Sequence, residues 1–269
     1  MEGNGRLAVL AGRGALPVEA VREGRRRGEE PVAVALVENV EPALAEEAAS
    51  FHRVSLGELA RLCSLLQMEG VGRALLAGKV TKELLFQEFA PDGRMAQLLA
   101  RVADWNDDTL LLAVVDELAK VGVTVLRQDE YLAYLLAPAG LIAGRLPTER
   151  EWADLRYGFA RAKEIAGLDL GQTVVVKERA VLAVEAIEGT DACLRRGGEL
   201  GRGGATAVKV AKPQQDPRFD VPTIGPETLA VMAASGITCL AVEAGATFVV
   251  DRAEMARLAG EAGLAVVGV

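Results

Sequence analysis

The stretch Leu7-Ala8-Val9-Leu10-Ala11-Gly12-Arg13-Gly14-Ala15-Leu16-Pro17 decides the fold class of this chain. A short apolar run predicts a buried strand, two glycines follow it, and Pro17 stands where a helix opens. Outward from it, helical patterns alternate with further apolar runs at 32–37, 74–77 and 123–126. The helical patterns occupy 17–27, 56–69, 95–105 and 108–120. This alternation is typical of βαβ units and a parallel sheet, so we predict an α/β fold.

A Pro- and Gly-spaced segment at 137–147 interrupts the alternation and predicts a connection between domains. We therefore expect a Rossmann-like parallel-sheet domain over 1–136, a linker over 137–147 and a mixed α/β domain over 148–269. The second domain opens with a capping-box pattern, Thr148-x-x-Glu151. A hairpin turn is predicted at 177–179. Further strands are predicted at 206–211, 239–242, 247–250 and 265–267.

Composition excludes several classes of function. The 269 residues carry a formal net charge of −8, which argues against binding nucleic acid through its phosphate backbone. The single histidine, His52, excludes His-rich metal centres, and we read it as a structural or surface residue. Three scattered cysteines suggest small buried side chains rather than disulfides. Catalysis must then use carboxylates, cations and a hard metal ion.

No leader-like or membrane-spanning pattern stands out, so we expect a cytoplasmic protein. Peripheral contact with the inner face of the cell membrane is left open, as is a homodimer.

Two loops after predicted strands of the first half are candidate phosphate contacts. Gly12 and Gly14 let backbone N–H groups approach a phosphate at a helix N-terminus, although a plain tight turn is the alternative. The dinucleotide fingerprint fails, because its third glycine would fall at Pro17. Lys79 follows another strand but lacks the remaining features of a phosphate-binding loop, so a surface lysine is the alternative reading.

The segment Lys209-Val-Ala-Lys212-Pro-Gln-Gln-Asp216-Pro-Arg218-Phe-Asp220-Val-Pro222-Thr223-Ile-Gly225 concentrates charge in the second half. Its prolines predict an ordered loop or edge that presents cations and carboxylates at fixed points. That pattern favours a site that handles phosphate, with a solvated turn as the alternative.

One acidic group adds to this loop, and another lies in the first half of the chain. Glu188-Gly-Thr190-Asp191 precedes Arg195-Arg196, where Thr190 or Asp191 can cap a helix and Asp191 can pair with Arg195. Together with the loop they supply the acids and forked cations of a magnesium-bridged pyrophosphate. A second group, Asp104-Trp-Asn-Asp107-Asp108, is explained by a helix cap or by a metal or hydroxyl contact.

At these residues the chain resembles the LpxI type of UDP-2,3-diacylglucosamine pyrophosphatase. The matching motifs run in order along nearly the whole chain. They are Gly12-x-Gly14-x-Leu16-Pro17, Lys163-Glu-Ile-Ala-Gly-Leu-Asp169-Leu-Gly171-Gln172, Val184-Glu185-Ala-x-Glu188-Gly-Thr190-Asp191-x-x-x-Arg195-Arg196, Ala211-Lys212-Pro213-x-Gln215-Asp216-x-Arg218-Phe-Asp220-x-Pro222-Thr223-x-Gly225 and Glu243-Ala-Gly245.

The resemblance implies a Rossmann-like domain and a distinct carboxyl-terminal domain that hold a lipid-linked sugar nucleotide between them. It implies Mg²⁺-dependent hydrolysis, with Mn²⁺ as an alternative, of UDP-2,3-diacylglucosamine to UMP and 2,3-diacylglucosamine 1-phosphate (lipid X). Water attacks the β-phosphorus, and the reaction is a step of lipid A biosynthesis.

The resemblance also suggests roles for residues. Asp220 matches the family's essential aspartate, and we expect it to bind the metal or to position the water. The remaining candidates fall into three groups. They are the catalytic cations Lys212 and Arg218, the substrate-binding residues Gly12, Gly14, Lys79, Thr190, Arg196, Lys209 and Thr223, and the further metal ligands Asp191 and Glu188. The alternatives are a nucleotide-dependent oxidoreductase, and a hydrolase or binder of another nucleotide sugar or lipid-linked diphosphate.

Overall fold

The computed structural model describes residues 5–80, 90–102 and 107–269, and the chain forms two compact units. The first unit comprises Met1–Leu132 together with Asp216–Phe219, and the second comprises Ala133–Gln215 together with Asp220–Val269. Four residues of the 209–225 loop therefore group with the first unit, although the sequence-based range 148–269 includes them.

The first unit is a parallel sheet with helices, as the alternating pattern predicts. Its strands are β1 (Arg6–Ala11), β2 (Val32–Ala35), β3 (Ser50–Arg53), β4 (Val71–Ala77) and β5 (Thr124–Val125). They pair in the order β3-β2-β1-β4-β5, and every pair is parallel. Its helices are α1 (Leu16–Arg26), α2 (Ala43–Glu47), α3 (Leu59–Met68), α4 (Gly93–Leu99), α5 (Asp107–Lys120) and α6 (Gln128–Tyr131).

Local chemistry explains several of these boundaries. Pro17 lies in the first turn of α1, where a missing N–H costs nothing. The Asp92 carboxylate caps α4 by accepting hydrogen bonds from the backbone of Arg94 and Met95. The predicted helix at 95–105 begins earlier than expected and ends at Leu99. The acidic group 104–108 lies outside the residues whose side chains are described.

Phe219 explains why part of the loop belongs to the first unit. Its side chain packs against the apolar core on one face of the parallel sheet, which includes Leu10, Leu76 and Leu118. The backbone N–H of Gln128 also donates to the carbonyl of Pro217, at 2.8 Å. Burial of an aromatic ring is the larger of the two contributions, because it removes more apolar surface from water.

The second unit is mixed, as predicted. Its strands are β6 (Gly140–Gly144), β7 (Thr173–Lys177), β8 (Ala180–Val184), β9 (Ala205–Lys209), β10 (Thr223–Ile224), β11 (Ile237–Val242), β12 (Phe248–Val249) and β13 (Ala265–Gly268). Six of them form one sheet in the order β6-β13-β11-β9-β7-β8, and β10 pairs with β12. Its elements also include a 3-10 turn (Ala133–Leu135) and the helices α7 (Glu149–Gly167), α8 (Thr190–Gly201), α9 (Pro226–Ser235) and α10 (Arg252–Glu261).

Two local predictions in this unit are confirmed. Thr148 and Glu151 form a reciprocal capping box at the start of α7. The β7–β8 hairpin turns at Glu178 and Arg179, both of which have positive φ, 53° and 59°. The Asp154 carboxylate accepts hydrogen bonds from both backbone N–H groups, at 3.0 and 2.7 Å, which compensates for the unusual backbone conformation.

The segment that the sequence marks as a connection contains a strand. Within 137–147, β6 pairs antiparallel with the last strand, β13. Glycine is required at this pairing, because a Cβ on Gly144 would lie 2.0 Å from the carbonyl oxygen of Leu264. The Gly/Pro spacing thus reflects close backbone packing within the second unit, which begins earlier, at Ala133.

His52 and the cysteines have structural environments. The Nε2 of His52 lies 2.7 Å from the carboxylate of Glu69, which also pairs with Arg6. All three cysteines are buried, as predicted, and burial raises the pKa of Cys193 and Cys239 to about 12.

Within the described part of the chain, none of the helices is both long enough and apolar enough to cross a membrane.

Candidate active site

The strands of the second unit bring charged residues to one edge of its sheet. Because β9 and β11 are parallel and β7 is antiparallel to both β8 and β9, strands β8, β9 and β11 run in the same direction. Glu185 follows β8, Lys209 ends β9 and Glu243 follows β11. The carboxyl ends of such strands are where open α/β sheets bind ligands, so this edge is the candidate site.

A buried hydrogen-bonded chain runs along this edge. The ammonium of Lys209, in a residue only 8% exposed, donates to the hydroxyl of Thr190 at 3.1 Å and to the carbonyl of Thr223 at 3.4 Å. The Thr190 hydroxyl donates in turn to the carboxylate of Glu185 at 2.8 Å, and Glu185 is 6% exposed. These hydrogen bonds offset the cost of burying the Lys209 ammonium and the Glu185 carboxylate, because each group is hydrogen-bonded and the two charges are opposite.

This row of hydrogen bonds joins three residues that the sequence suggests as substrate contacts: Lys209, Thr190 and Thr223. Glu185 was missed as a site residue. Its sequence signal is a carboxylate at the end of a strand, within a motif that also contains Glu188 and Thr190.

Thr190 does not cap α8, contrary to one reading of the sequence. The N-cap is Gly189, with φ of 81°, and no side chain caps the helix. Thr190 is the first residue of α8, where its hydroxyl reaches back to Glu185.

Glu188 is held by an ion pair rather than left open toward a ligand. Its carboxylate accepts from the guanidinium of Arg196 at 2.6 Å and from the backbone N–H of Ala186 at 3.1 Å. Backbone hydrogen bonding at Glu188 itself, followed by the Arg196 hydrogen bond, lowers the pKa of this carboxyl. Arg196 also donates to the carbonyl of Val184. Both side chains therefore hydrogen-bond to the backbone at the turn between β8 and α8.

The three predicted metal ligands do not form a metal centre by themselves. Over the described residues, no group of three or more His, Cys, Asp and Glu side chains could hold a metal ion. Asp191 is exposed in the first turn of α8, and Asp220 is partly buried at the end of the loop. A protein-only cage of Asp220, Asp191 and Glu188 therefore does not fit the structure.

The loop cations that we predicted to be catalytic have carboxylate partners. Lys212 donates to Asp169 at 2.7 Å. The guanidinium of Arg218 makes a two-pronged contact with Asp216, with its shortest distance at 2.6 Å, and this hydrogen bonding lowers the pKa of Asp216. Local pairing fixes the position of each cation.

Both members of an ion pair hydrogen-bond to the backbone of Ala211 at the start of the loop. The ammonium of Lys163, from α7, lies 3.0 Å from the Glu243 carboxylate and donates to the carbonyl of Ala211 at 3.1 Å. The same carboxylate accepts from the N–H of Ala211 at 2.8 Å. Strand β9 was predicted to reach residue 211 but ends at Lys209, since these side chains satisfy the backbone of Ala211.

The glycine loops of the first unit bond to each other. The N–H of Gly12 donates to the carbonyl of Ala77 at 2.8 Å, and Arg13 and Lys79 form a backbone bridge. A Cβ on Gly12 would lie 2.7 Å from the carbonyl oxygen of Lys79, which explains this glycine by packing. Its N–H is engaged, whereas Gly14, with φ of 94°, has open space where a Cβ would stand. Of the two glycines, Gly14 better fits the predicted approach to a ligand.

Comparisons with known proteins identify the family. The LpxI N-terminal domain model matches residues 6–135, and the LpxI C-terminal domain model matches residues 138–267. The chain belongs to the LpxI family. It is 35% identical over 275 aligned residues to the UDP-2,3-diacylglucosamine pyrophosphatase LpxI of Caulobacter vibrioides, covering 98% of this chain and 97% of that one.

Among solved structures, this LpxI chain matches glycinamide-RNase-transformylase T from Mycobacterium tuberculosis with 11% identity and a TM-score of 0.26. That match covers 67% of this chain and 44% of the other.

Proposed function

We propose that this chain hydrolyses the pyrophosphate bond of UDP-2,3-diacylglucosamine, giving UMP and 2,3-diacylglucosamine 1-phosphate in lipid A biosynthesis. The observation that carries the proposal is its 35% identity, over 98% of the chain, to a relative named for that pyrophosphatase activity. Both LpxI domains are matched, so the likeness is not confined to one half.

The buried chain at the sheet edge supports phosphate chemistry. A diphosphate carries negative charge, and the Lys209 ammonium is a donor held in place before any substrate binds. Donors that are fixed in advance stabilise developing phosphoryl charge without reorganisation. Thr190 and Glu185 hold the ammonium in position, and Lys212 adds a second positive charge at the start of the loop.

Water attacks the β-phosphorus in this proposal. A bond forms between the water oxygen and the β-phosphorus, and the bond from that phosphorus to the bridging oxygen breaks. UMP leaves with the bridging oxygen, and the lipid sugar keeps the β-phosphate. We assign Asp220 the task of orienting the water, since a carboxylate can accept the proton that the water loses.

We propose Mg²⁺ as the cofactor, with Mn²⁺ as the alternative. Mg²⁺ is commonly held by one or two carboxylates together with substrate phosphates, so Asp220 and the diphosphate provide suitable oxygen donors without a three-carboxylate cage. When bound, the ion supplies Lewis-acid stabilisation of the phosphates.

We also propose a cytoplasmic location with peripheral contact at the inner membrane surface, because the substrate carries two acyl chains. The homodimer stays a prediction. Flotation of the purified protein with vesicles of anionic lipid would test the membrane contact, and binding that does not exceed that of a non-binding control protein would contradict it.

The direct test mixes purified protein with UDP-2,3-diacylglucosamine and measures UMP with and without EDTA. UDP-N-acetylglucosamine, which has an acetyl group but lacks the two long acyl chains, is the matched substrate control. We expect release of UMP from the diacylated substrate but not from UDP-N-acetylglucosamine. EDTA should abolish this release, and added Mg²⁺ should restore it. No release of UMP would overturn the proposed reaction, and full activity in EDTA would overturn the metal requirement.

A further inference from the structure

The Lys163–Glu243 ion pair has an unusual target, which is the backbone of one residue. Glu243 accepts the N–H of Ala211, and Lys163 donates to the C=O of the same residue. Both oxygens of Glu243 also lie within 3.1 Å of the Lys163 ammonium. Two side chains from α7 and the end of β11 thereby replace the sheet hydrogen bonds that Ala211 would make as part of a strand.

Ala211 is the point where the chain leaves the sheet. Just before it, the N–H of Glu243 donates to the carbonyl of Lys209, and the N–H of Val210 donates to the carbonyl of Gln172. Just after it come Lys212 and Pro213, and the restricted backbone of a proline transmits the direction set at the preceding residues. The geometry at Ala211 therefore sets the angle at which the loop begins.

The other end of the loop is fixed separately. The N–H of Phe248 donates to the carbonyl of Pro222 at 2.7 Å, and β10 pairs with β12 directly afterwards. Lys212 and Asp220 lie between these two anchors. Phe219 and the carbonyl of Pro217 attach the middle of the loop to the first unit. Loss of the first anchor would leave the loop attached there and at its far end but free to change direction at its start.

Global stability does not account for this ion pair. The side chain of Lys163 is 34% exposed and that of Glu243 is 23% exposed, and pairs with this much solvent contact contribute little to folding. The same helix carries a more exposed ion pair, Arg161 with Glu164 at 2.8 Å, between residues three positions apart on its surface. That pair provides a matched control for loss of charge on α7.

We propose that Lys163 and Glu243 are positioning residues that fix the exit of the 212–221 loop and so place Asp220 and Lys212 for catalysis. The proposal rests on the pyrophosphatase function for its kinetic consequence. Its structural part, restraint of the loop, stands without that function.

The variants are Lys163→Met, Glu243→Gln and, as the conservative replacement, Lys163→Arg, with Glu164→Gln as the control on the same helix. We expect kcat to fall about 10- to 100-fold in Lys163→Met and Glu243→Gln, since small displacements of catalytic groups have effects of that size. KM should change less than threefold, and Lys163→Arg should recover much of kcat. Glu164→Gln should behave like the wild type.

Limited trypsin digestion without substrate measures the restraint directly. Cleavage after Arg218 should become several-fold faster in Lys163→Met and Glu243→Gln, while the melting temperature stays within a few degrees of the wild-type value. This measurement keeps its meaning if the wild type releases no UMP, an outcome that would overturn the proposed function but not the restraint.

Two results would overturn the positioning role. One is unchanged cleavage after Arg218 in both variants. The other is a fall of kcat that Glu164→Gln reproduces, or that simply follows the folded fraction, because either would indicate a general structural effect.

Discussion

The two units treat the loops at the ends of their strands in opposite ways. In the first unit, the loops after β1 and β4 use their backbone groups to bond to each other, and Gly12 is needed for that contact. In the second unit, the loops after β8, β9 and β11 hold charged side chains in hydrogen-bonded positions at the sheet edge.

The difference shows that similar sequence signals serve different purposes. Glycines after a strand suggest phosphate binding, but at Gly12 the packing of two backbones explains the residue completely. Charged residues after a strand suggest a solvated turn, yet Lys209 and Glu185 are almost fully buried. We therefore propose that the chemistry takes place at the second set of loops, whereas Gly12 in the first set has a structural role.

The largest effect is expected at Asp220. Asp220→Ala should lower kcat by about 10³-fold or more while substrate still binds, because loss of a positioned acid or base costs 10² to 10⁴ in rate. UMP release and equilibrium binding of the diacylated substrate measure the two quantities. Asp220→Asn keeps the shape and should be nearly as inactive. Substantial turnover in either variant would remove Asp220 from the mechanism.

Lys209→Met should reduce kcat/KM by about 100-fold, the typical cost of removing one charge-stabilising donor. Lys177→Met is the control, since Lys177 is also a sheet lysine but donates to the carbonyls of Gly201 and Gly203 at the opposite end of β7. It should affect stability rather than turnover. Equal kinetic losses in both variants would contradict the assignment of the site to one edge.

Gly12→Ala should lower the free energy of unfolding by about 3 kcal/mol, because the new methyl group would meet backbone atoms that cannot move aside easily. Gly14→Ala is the matched control. There the methyl group has space, and the cost is about 1 kcal/mol from the positive φ. Urea denaturation measures both, and a smaller cost at Gly12 than at Gly14 would contradict the packing explanation.

The smallest effect concerns Glu151, a buried carboxylate away from the proposed chemistry. Burial alone would raise its pKa, but hydrogen bonds from Arg145, Thr148 and Thr238 outweigh burial and lower the pKa to about 2. Because the folded-state pKa is below the unfolded value of about 4.3, this stabilisation is present above pH 4.3. It is lost as the pH falls toward 2.

Between pH 7 and pH 3, Glu151 should account for roughly 2 kcal/mol of lost stability. Glu151→Gln should be less stable at pH 7 and should show a flatter dependence in urea titrations over that range. An unchanged pH profile would show that Glu151 does not titrate as the structure indicates.

The sequence predicts the local part of the fold well. The alternation of strands and helices in the first unit, the Thr148 capping box and the hairpin at 177–179 all depend on neighbouring residues and are confirmed. The helix predicted at 95–105 has the wrong bounds, and the short helix α2 was not predicted. Strand β6 was missed, because its five residues become a strand only by pairing with β13, more than 100 positions later.

The site follows the same rule. Lys209 and Thr190 could be proposed separately from residue type, but their direct hydrogen bond, and the bond from Thr190 to Glu185, depend on the pairing of β7 with β8 and β9. The early end of β9 at Lys209 was likewise invisible, since Lys163 and Glu243 are 48 and 32 positions from Ala211.

The position of Phe219 has a consequence for biosynthesis. The first unit consists of a main segment that ends at Leu132 and of residues 216–219. When the ribosome has synthesised the main segment, the first unit is therefore still incomplete. At typical elongation rates of about 5–20 residues per second, several seconds pass before Phe219 emerges to complete that core. The nascent first unit must persist unfinished for that time, and its maturation waits for most of the second unit to be translated.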